Sequence, residues 1–208
     1  ISTLHALCDS PAWVPGDTNG VQLDPNVEKI AQVIMPAIME TWEAEDDRTA
    51  AIEICQSFAS CLNKCGPGLI SPQWIEPTCQ LTMQILEKKA PSQIDPEADE
   101  DEETEDSSEY ESVLISAAMD LVGAMAYVLC DSFMTPMRQF LPLLCKYYSP
   151  GRSVTDRATA IGSLGEITVN MKRAITPFTQ DILAILSHAV GDELSLIHIS
   201  EPTRQEAI

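Results

Sequence analysis

The densest chemistry in this chain is acid. Between Asp95 and Glu111 it carries eleven carboxylates and no lysine or arginine. Asp99, Glu100, Asp101, Glu102, Glu103, Glu105 and Asp106 form the centre of that run. Carboxylates at this density repel one another and resist packing, so the stretch is expected to be a disordered or solvated loop. Such a loop attracts Lys and Arg of a basic partner without one fixed geometry and speeds the encounter. Each exposed pair contributes under about 1 kcal/mol, so binding would need many pairs and would weaken with salt. A solubilising linker is the other reading of the same residues. Ser92 and Ser108 each have an acid three places on. That context suits acid-directed kinases, and a phosphate would deepen the charge.

Other reactive residue types form weaker constellations. Cys55, Cys61 and Cys65 share one helical stretch, but a zinc site needs a fourth ligand and no histidine lies close in sequence. They read as small buried hydrophobes. His5, His188 and His198 pair with no cysteine or serine nucleophile, and Gly66-Pro67-Gly68 is a turn rather than a phosphate loop. No enzyme site, cofactor or metal is therefore expected. Seven cysteines make an odd set, and no Asn-x-Ser/Thr acceptor occurs, so a secreted disulfide framework is not expected. Both facts point to the cytosol or nucleus.

Bulk properties narrow the partners. The formal net charge is -20, of which the acidic run supplies eleven. An acidic chain repels nucleic acid and anionic membranes, and its natural electrostatic partners are basic proteins. No run of 18 apolar residues occurs, so no membrane insertion is expected. Hydrophobic residues make up 45% and aromatics only 5%, a mix that favours helices over β-sandwiches. The chain opens on Ile1 and is expected to be a piece of a longer protein.

The elements that would position these residues are helical. Ile52, Cys55, Phe58, Ala59 and Leu62 recur in steps of three and four after Asp47. Leu114 to Leu129 and Ile161 to Ile175 do the same after Glu111 and Asp156. Companion helices are predicted over 25–43, 72–89, 136–148 and 177–190, with proline near their starts. Trp42 falls on the Val27, Ile30, Ile34 and Ile38 face and reads as core. Trp74 is expected to be partly exposed, and Glu40, Glu76 and Asp181 are expected to be solvated on second helices.

The chain also repeats itself. Ile75-Glu76-Pro77, Met134-Thr135-Pro136 and Ile175-Thr176-Pro177 share a signature that reads as the opening of a second helix. Pro136 and Pro177 are 41 residues apart, whereas Pro77 and Pro136 are 59 apart, an excess of 18. Asp47-Arg48-Thr49-Ala50-Ala51-Ile52 parallels Asp156-Arg157-Ala158-Thr159-Ala160-Ile161. A period near 41 fits a two-helix HEAT or armadillo unit, which buries its apolar face only by stacking on neighbours. The expected fold is all-α: a HEAT-repeat superhelical solenoid of about four repeats, with an acidic loop inserted between two of them. The boundaries are repeats over 1–90, loop over 91–110, repeats over 111–193, and a tail over 194–208 that fits no repeat position and looks non-native. Arg48 and Arg157, at matching repeat positions, are expected to bond acceptors of a neighbouring repeat and fix the stacking.

Several of these stretches resemble a known family. Glu109-Tyr110-Glu111-Ser112-Val113-Leu114-Ile115-Ser116-Ala117-Ala118 after an acidic run is one. Lys146-Tyr147-Tyr148, Asp156 to Ile167 and Ile175-Thr176-Pro177-Phe178 are others. Together, over roughly residues 25 to 193, they resemble the importin-beta (karyopherin-beta) family, most of all its fungal beta-4 class. The resemblance implies a right-handed superhelix that carries basic cargo, ribosomal proteins and core histones, on its inner surface. It implies contacts with FG nucleoporins outside, release by the Ran GTPase, and a place in cytoplasm and nucleus and at the nuclear pore. An unrelated HEAT scaffold with an acidic linker is the alternative.

Overall fold

The structure, a computed structural model, describes residues 25–94 and 105–191. His5, Cys8, His198, the tail from Leu194 and the acids from Asp99 to Glu103 lie outside them. The described residues form seven α-helices and no strand. These are α1 (Pro25–Ala44), α2 (Arg48–Cys65), α3 (Pro72–Leu86), α4 (Glu105–Leu129), α5 (Met134–Tyr147), α6 (Val154–Met171) and α7 (Thr179–Val190).

They stack as helix pairs, the HEAT arrangement. The first helices α2, α4 and α6 lie side by side in one row, and the second helices α1, α3 and α5 form the other. Between the rows lies one continuous core of Leu, Ile, Met, Ala and Cys side chains. Burial of that apolar surface drives the stacking, at roughly 25 cal/mol per Å². Trp42 of α1 is buried with its ring edge-on to Phe58 of α2, centroids 6.3 Å apart. Phe133 and Phe140 stack at the head of α5. The stretch Glu109–Tyr147 is long and apolar enough to cross a membrane by length and composition. Of its most apolar 18-residue window 67% is buried, because α4 is packed between α2 and α6.

Local chemistry sets where the helices begin and end. The Asp47 carboxylate accepts from the Ala50 N–H at 2.8 Å and caps α2. The Ser153 hydroxyl accepts from the Asp156 N–H at 3.0 Å and caps α6. Arg48 is therefore the first residue of its helix, whereas Arg157 is the fourth of its own. Each first helix stops at a residue with positive φ: Gly66 (67°), Cys130 (46°) and Lys172 (51°). A short 3₁₀ segment then turns the chain towards the second helix.

One of the three shared prolines sits as expected and two do not. Pro136 is in the first turn of α5 and Pro177 in the 3₁₀ segment before α7, but Pro77 lies inside α3. Pro72 has already opened α3, so the turn that is 3₁₀ in the other repeats is α-helical there. The boundaries of the acidic stretch also differ. Pro91–Gln93 is a 3₁₀ turn, and α4 begins at Glu105 rather than near Glu111. Acidic residues suit a helix N-terminus, where they meet the positive end of the helix dipole.

Candidate functional site

The site with the clearest chemistry is the root of the acidic insertion. Its near side is built by the end of α3. Lys88 there adopts φ 60°, a backbone state uncommon outside glycine, and turns the chain out of the helix. Pro91 then starts the 3₁₀ turn, in which the Gln93 N–H donates to the Ala90 carbonyl at 2.9 Å. The Ala90 N–H in turn donates to the Gln93 side-chain oxygen at 3.2 Å.

The Gln93 side chain ties the two sides together. Its Nε2 donates to the Ile85 carbonyl at 3.0 Å and to the Glu111 carboxylate at 2.9 Å. Lys88 Nζ lies 3.4 Å from the same Glu111 oxygen. Gln93 and Glu111 are 18 residues apart, the same number as the excess over the repeat period. The insertion therefore closes on itself at its base, and the repeats on either side meet as if it were absent.

Further bonds lock this edge. Arg48 Nε donates to the Ser92 carbonyl at 3.0 Å, so the arginine bonds the connector leading to the next repeat. The Tyr147 hydroxyl donates to the Leu86 carbonyl at 2.8 Å, reaching from α5 back to the end of α3. The Arg152 guanidinium lies 4.8 Å from the centre of the Tyr147 ring. Burial pushes the Tyr147 phenol well above its ordinary value, with Arg152 opposing that shift. It thus stays a neutral donor.

Among the acids read from the sequence, Asp99, Glu100, Asp101, Glu102 and Glu103 fall outside the described residues. Glu105 and Asp106 fall in the first turn of α4. Arg157 is half-buried on α6. Ser92 is buried, which closes it to a kinase in this fold. Glu40, Glu76 and Asp181 are exposed and Trp74 is half-buried. Cys55, Cys61 and Cys65 are buried core thiols, and burial pushes Cys55 up to about 12. At that value it is protonated and inert at neutral pH.

The clamp of Gln93, Glu111 and Lys88 was not singled out in the sequence. Its one signal there was the 18-residue excess, which says that two ends must meet but not which side chains join them. A second carboxylate pair was also hidden. Asp120 on α4 and Glu166 on α6 sit on neighbouring first helices, and both carboxyls are raised above their ordinary range by burial. For Glu166 the charge of Asp120 adds to the rise. A Cβ on Gly123 would come within 3.1 Å of the Glu166 carboxylate, so a larger residue there would make that side chain shift by a few tenths of an ångström.

No family model matches the chain. Individual proteins do. A probable importin subunit beta-4 of Schizosaccharomyces pombe is 31% identical over 199 residues, covering 92% of this chain and 18% of that protein. Importin-4 of Homo sapiens is 26% identical over 185 residues, covering 88% of this chain and 16% of its own length. Importin-4 of Mus musculus is 27% identical over 169 residues, 78% of this chain and 15% of its own. The chain thus spans less than a fifth of the length of the curated relatives it matches. The reading as an unrelated HEAT scaffold is set aside by these matches, and so is an enzyme, because importins are transport receptors. By its stacked helix pairs and by these relatives, the chain belongs to the importin-beta family, in its beta-4 class.

Proposed function

We propose that this chain is a segment of a nuclear transport receptor whose acidic insertion engages basic cargo, of the ribosomal-protein and histone kind. The observation that carries this reading is the closed root. Ten carboxylates, with no lysine or arginine among them, lie in sequence between two ends joined by the Gln93–Glu111 bond. In this reading the acids ahead of α4 are attached to the stack without being needed to build it. Affinity comes from many weak pairs, so it falls steeply with ionic strength. Ran and FG nucleoporins act on the full-length receptor, which works between cytoplasm and nucleus and at the pore. The names of the relatives support the transport role, and the charge of the insertion supports the choice of cargo.

The test replaces Asp99, Glu100, Asp101, Glu102, Glu103, Glu105 and Asp106 by their amides in the whole chain. A labelled Lys/Arg-rich peptide is then titrated by fluorescence anisotropy at about 0.05 M and about 0.5 M salt. The expected result is at least a roughly tenfold weaker complex at low salt, with the difference lost at high salt. Equal affinity of both proteins at low salt would count against the proposal.

A further inference from the structure

We infer that the root of the acidic insertion also carries an apolar anchor site, which takes an aliphatic side chain set among the Lys and Arg residues of a basic partner. This inference rests on the cargo reading above and names a second component of the same site.

Eight large hydrophobic residues are exposed among the described residues. Val33 lies on α1, and Val154, Val169, Leu183 and Val190 lie on α6 and α7. These are the first helix and the last two helices of the described stack. The remaining three are Ile94 (61% exposed), Tyr110 (52%) and Val113 (42%). They belong to the middle of the stack, where both neighbouring repeats are already in place, so stacking does not account for them.

All three border the insertion. Tyr110 and Val113 are three residues apart on α4 and so share one face of the helix. Ile94 directly follows Gln93, and Tyr110 directly precedes Glu111, the two residues joined at 2.9 Å. The Lys88–Glu111 contact holds the same junction. Tyrosine on a fixed element is one of the residue types enriched at binding hot spots. Exposed Glu109 borders the patch on α4, and in sequence the acidic run lies between Ile94 and Tyr110. Charge complementarity then selects the occupant. A purely apolar segment gains nothing from the acids, and a purely basic one gains little from Tyr110 and Val113. A basic segment with one large aliphatic side chain uses both. The carboxylates set the encounter rate and salt dependence, and the apolar contact slows release.

The experiment titrates the full chain with two labelled peptides of equal charge. One has a single leucine at the centre of a Lys/Arg run, and the other has alanine in its place. The wild-type chain is expected to prefer the leucine peptide by roughly tenfold. Tyr110→Ala combined with Val113→Ser is expected to abolish the preference, so that both peptides bind this variant equally. Tyr110→Phe is expected to retain it. Equal binding of the two peptides by the wild-type chain overturns the inference, as does a preference that survives the double variant. A Tyr110-dependent dimer in sedimentation, without peptide preference, also overturns it and assigns the patch to a second copy. The chain with the seven acids neutralised separates the two readings. Weaker binding of both peptides at an unchanged ratio supports the anchor. Unchanged affinity removes the electrostatic cargo reading, and the leucine-to-alanine ratio still decides the anchor. Both substituted positions are exposed, and the thermal midpoint checks that the variants remain folded.

Discussion

The two edges of the helix stack are built by different means. At one edge each first helix turns into its second through a backbone device: a positive-φ residue followed by a 3₁₀ segment, at Gly66, Cys130 and Lys172. At the other edge successive repeats are joined by connectors of unequal length; the α3–α4 connector also has a positive-φ residue, Lys88, and a 3₁₀ turn, but there side chains close it as well. Arg48 bonds Ser92, Gln93 bonds Glu111, and Tyr147 reaches Leu86. A backbone device fixes chain length, because every residue in it has an assigned conformation. A side-chain clamp fixes only the ends, and lengthening the loop between them costs little, about 0.6 kcal/mol per doubling. The acidic insertion sits at the edge where length is free.

The largest effect that would sharpen this contrast is expected from Tyr147→Ala. It removes a fully buried ring and the bond to Leu86, and should destabilise the chain by about 3–5 kcal/mol in urea unfolding. Tyr147→Phe keeps the ring and leaves the Leu86 carbonyl without this donor, for a loss of about 1–2 kcal/mol. A loss near zero for the phenylalanine variant would break the claim that the hydroxyl closes this connector.

The next effect lies on the opposite edge. Gly66 has φ 67° and ψ -160°, a region that only glycine occupies readily. Gly66→Ala should destabilise by about 1–3 kcal/mol. Lys172 has φ 51° and ψ -118°, the geometry of the first central residue of a type II′ turn, and carries a side chain there. Lys172→Gly should therefore stabilise by about 0.5–1 kcal/mol, unlike most glycine substitutions. Opposite signs at these two positions, read from thermal midpoints, would confirm that one backbone device serves both repeats. Like signs would break it.

The smallest effect is a pH dependence at the α4–α6 contact. Asp120 and Glu166 have raised values in the folded chain, so in that window the folded state binds more protons than the unfolded one. Stability then falls as pH rises from the ordinary carboxylate range through the raised values, and stays lowered above them. Glu166→Gln removes the penalty, so the thermal midpoint at pH 7 should rise slightly and its decline across that window should flatten. A lower midpoint at pH 7 would show that the carboxylate is held by favourable contacts instead.

Helix periodicity made most of the fold legible. The predicted 25–43 became Pro25–Ala44, and the pairing of first and second helices followed from the 41-residue spacing. Pro77 misled because a proline looks alike at a helix start and within a helix, and only the earlier Pro72 decides between them. The start of α4 misled because charge density argued for loop, whereas acids in a first turn are compatible with helix. The clamps were illegible for another reason. Gln93–Glu111 and Tyr147–Leu86 join residues 18 and 61 positions apart, and no local pattern marks such pairs. The exposure of Tyr110 and Val113 was equally hidden, since both fit an apolar helix that is otherwise buried.

The central claim is that insertion and solenoid are separable. It is tested most directly by deleting residues 95–104 and measuring urea stability and basic-peptide affinity on the same protein. The account predicts an unfolding free energy within about 1 kcal/mol of the intact chain, because only loop-closure entropy changes. It predicts at the same time a roughly tenfold or greater loss of affinity at low salt. A loss of several kcal/mol of stability, or an undiminished affinity, would contradict it.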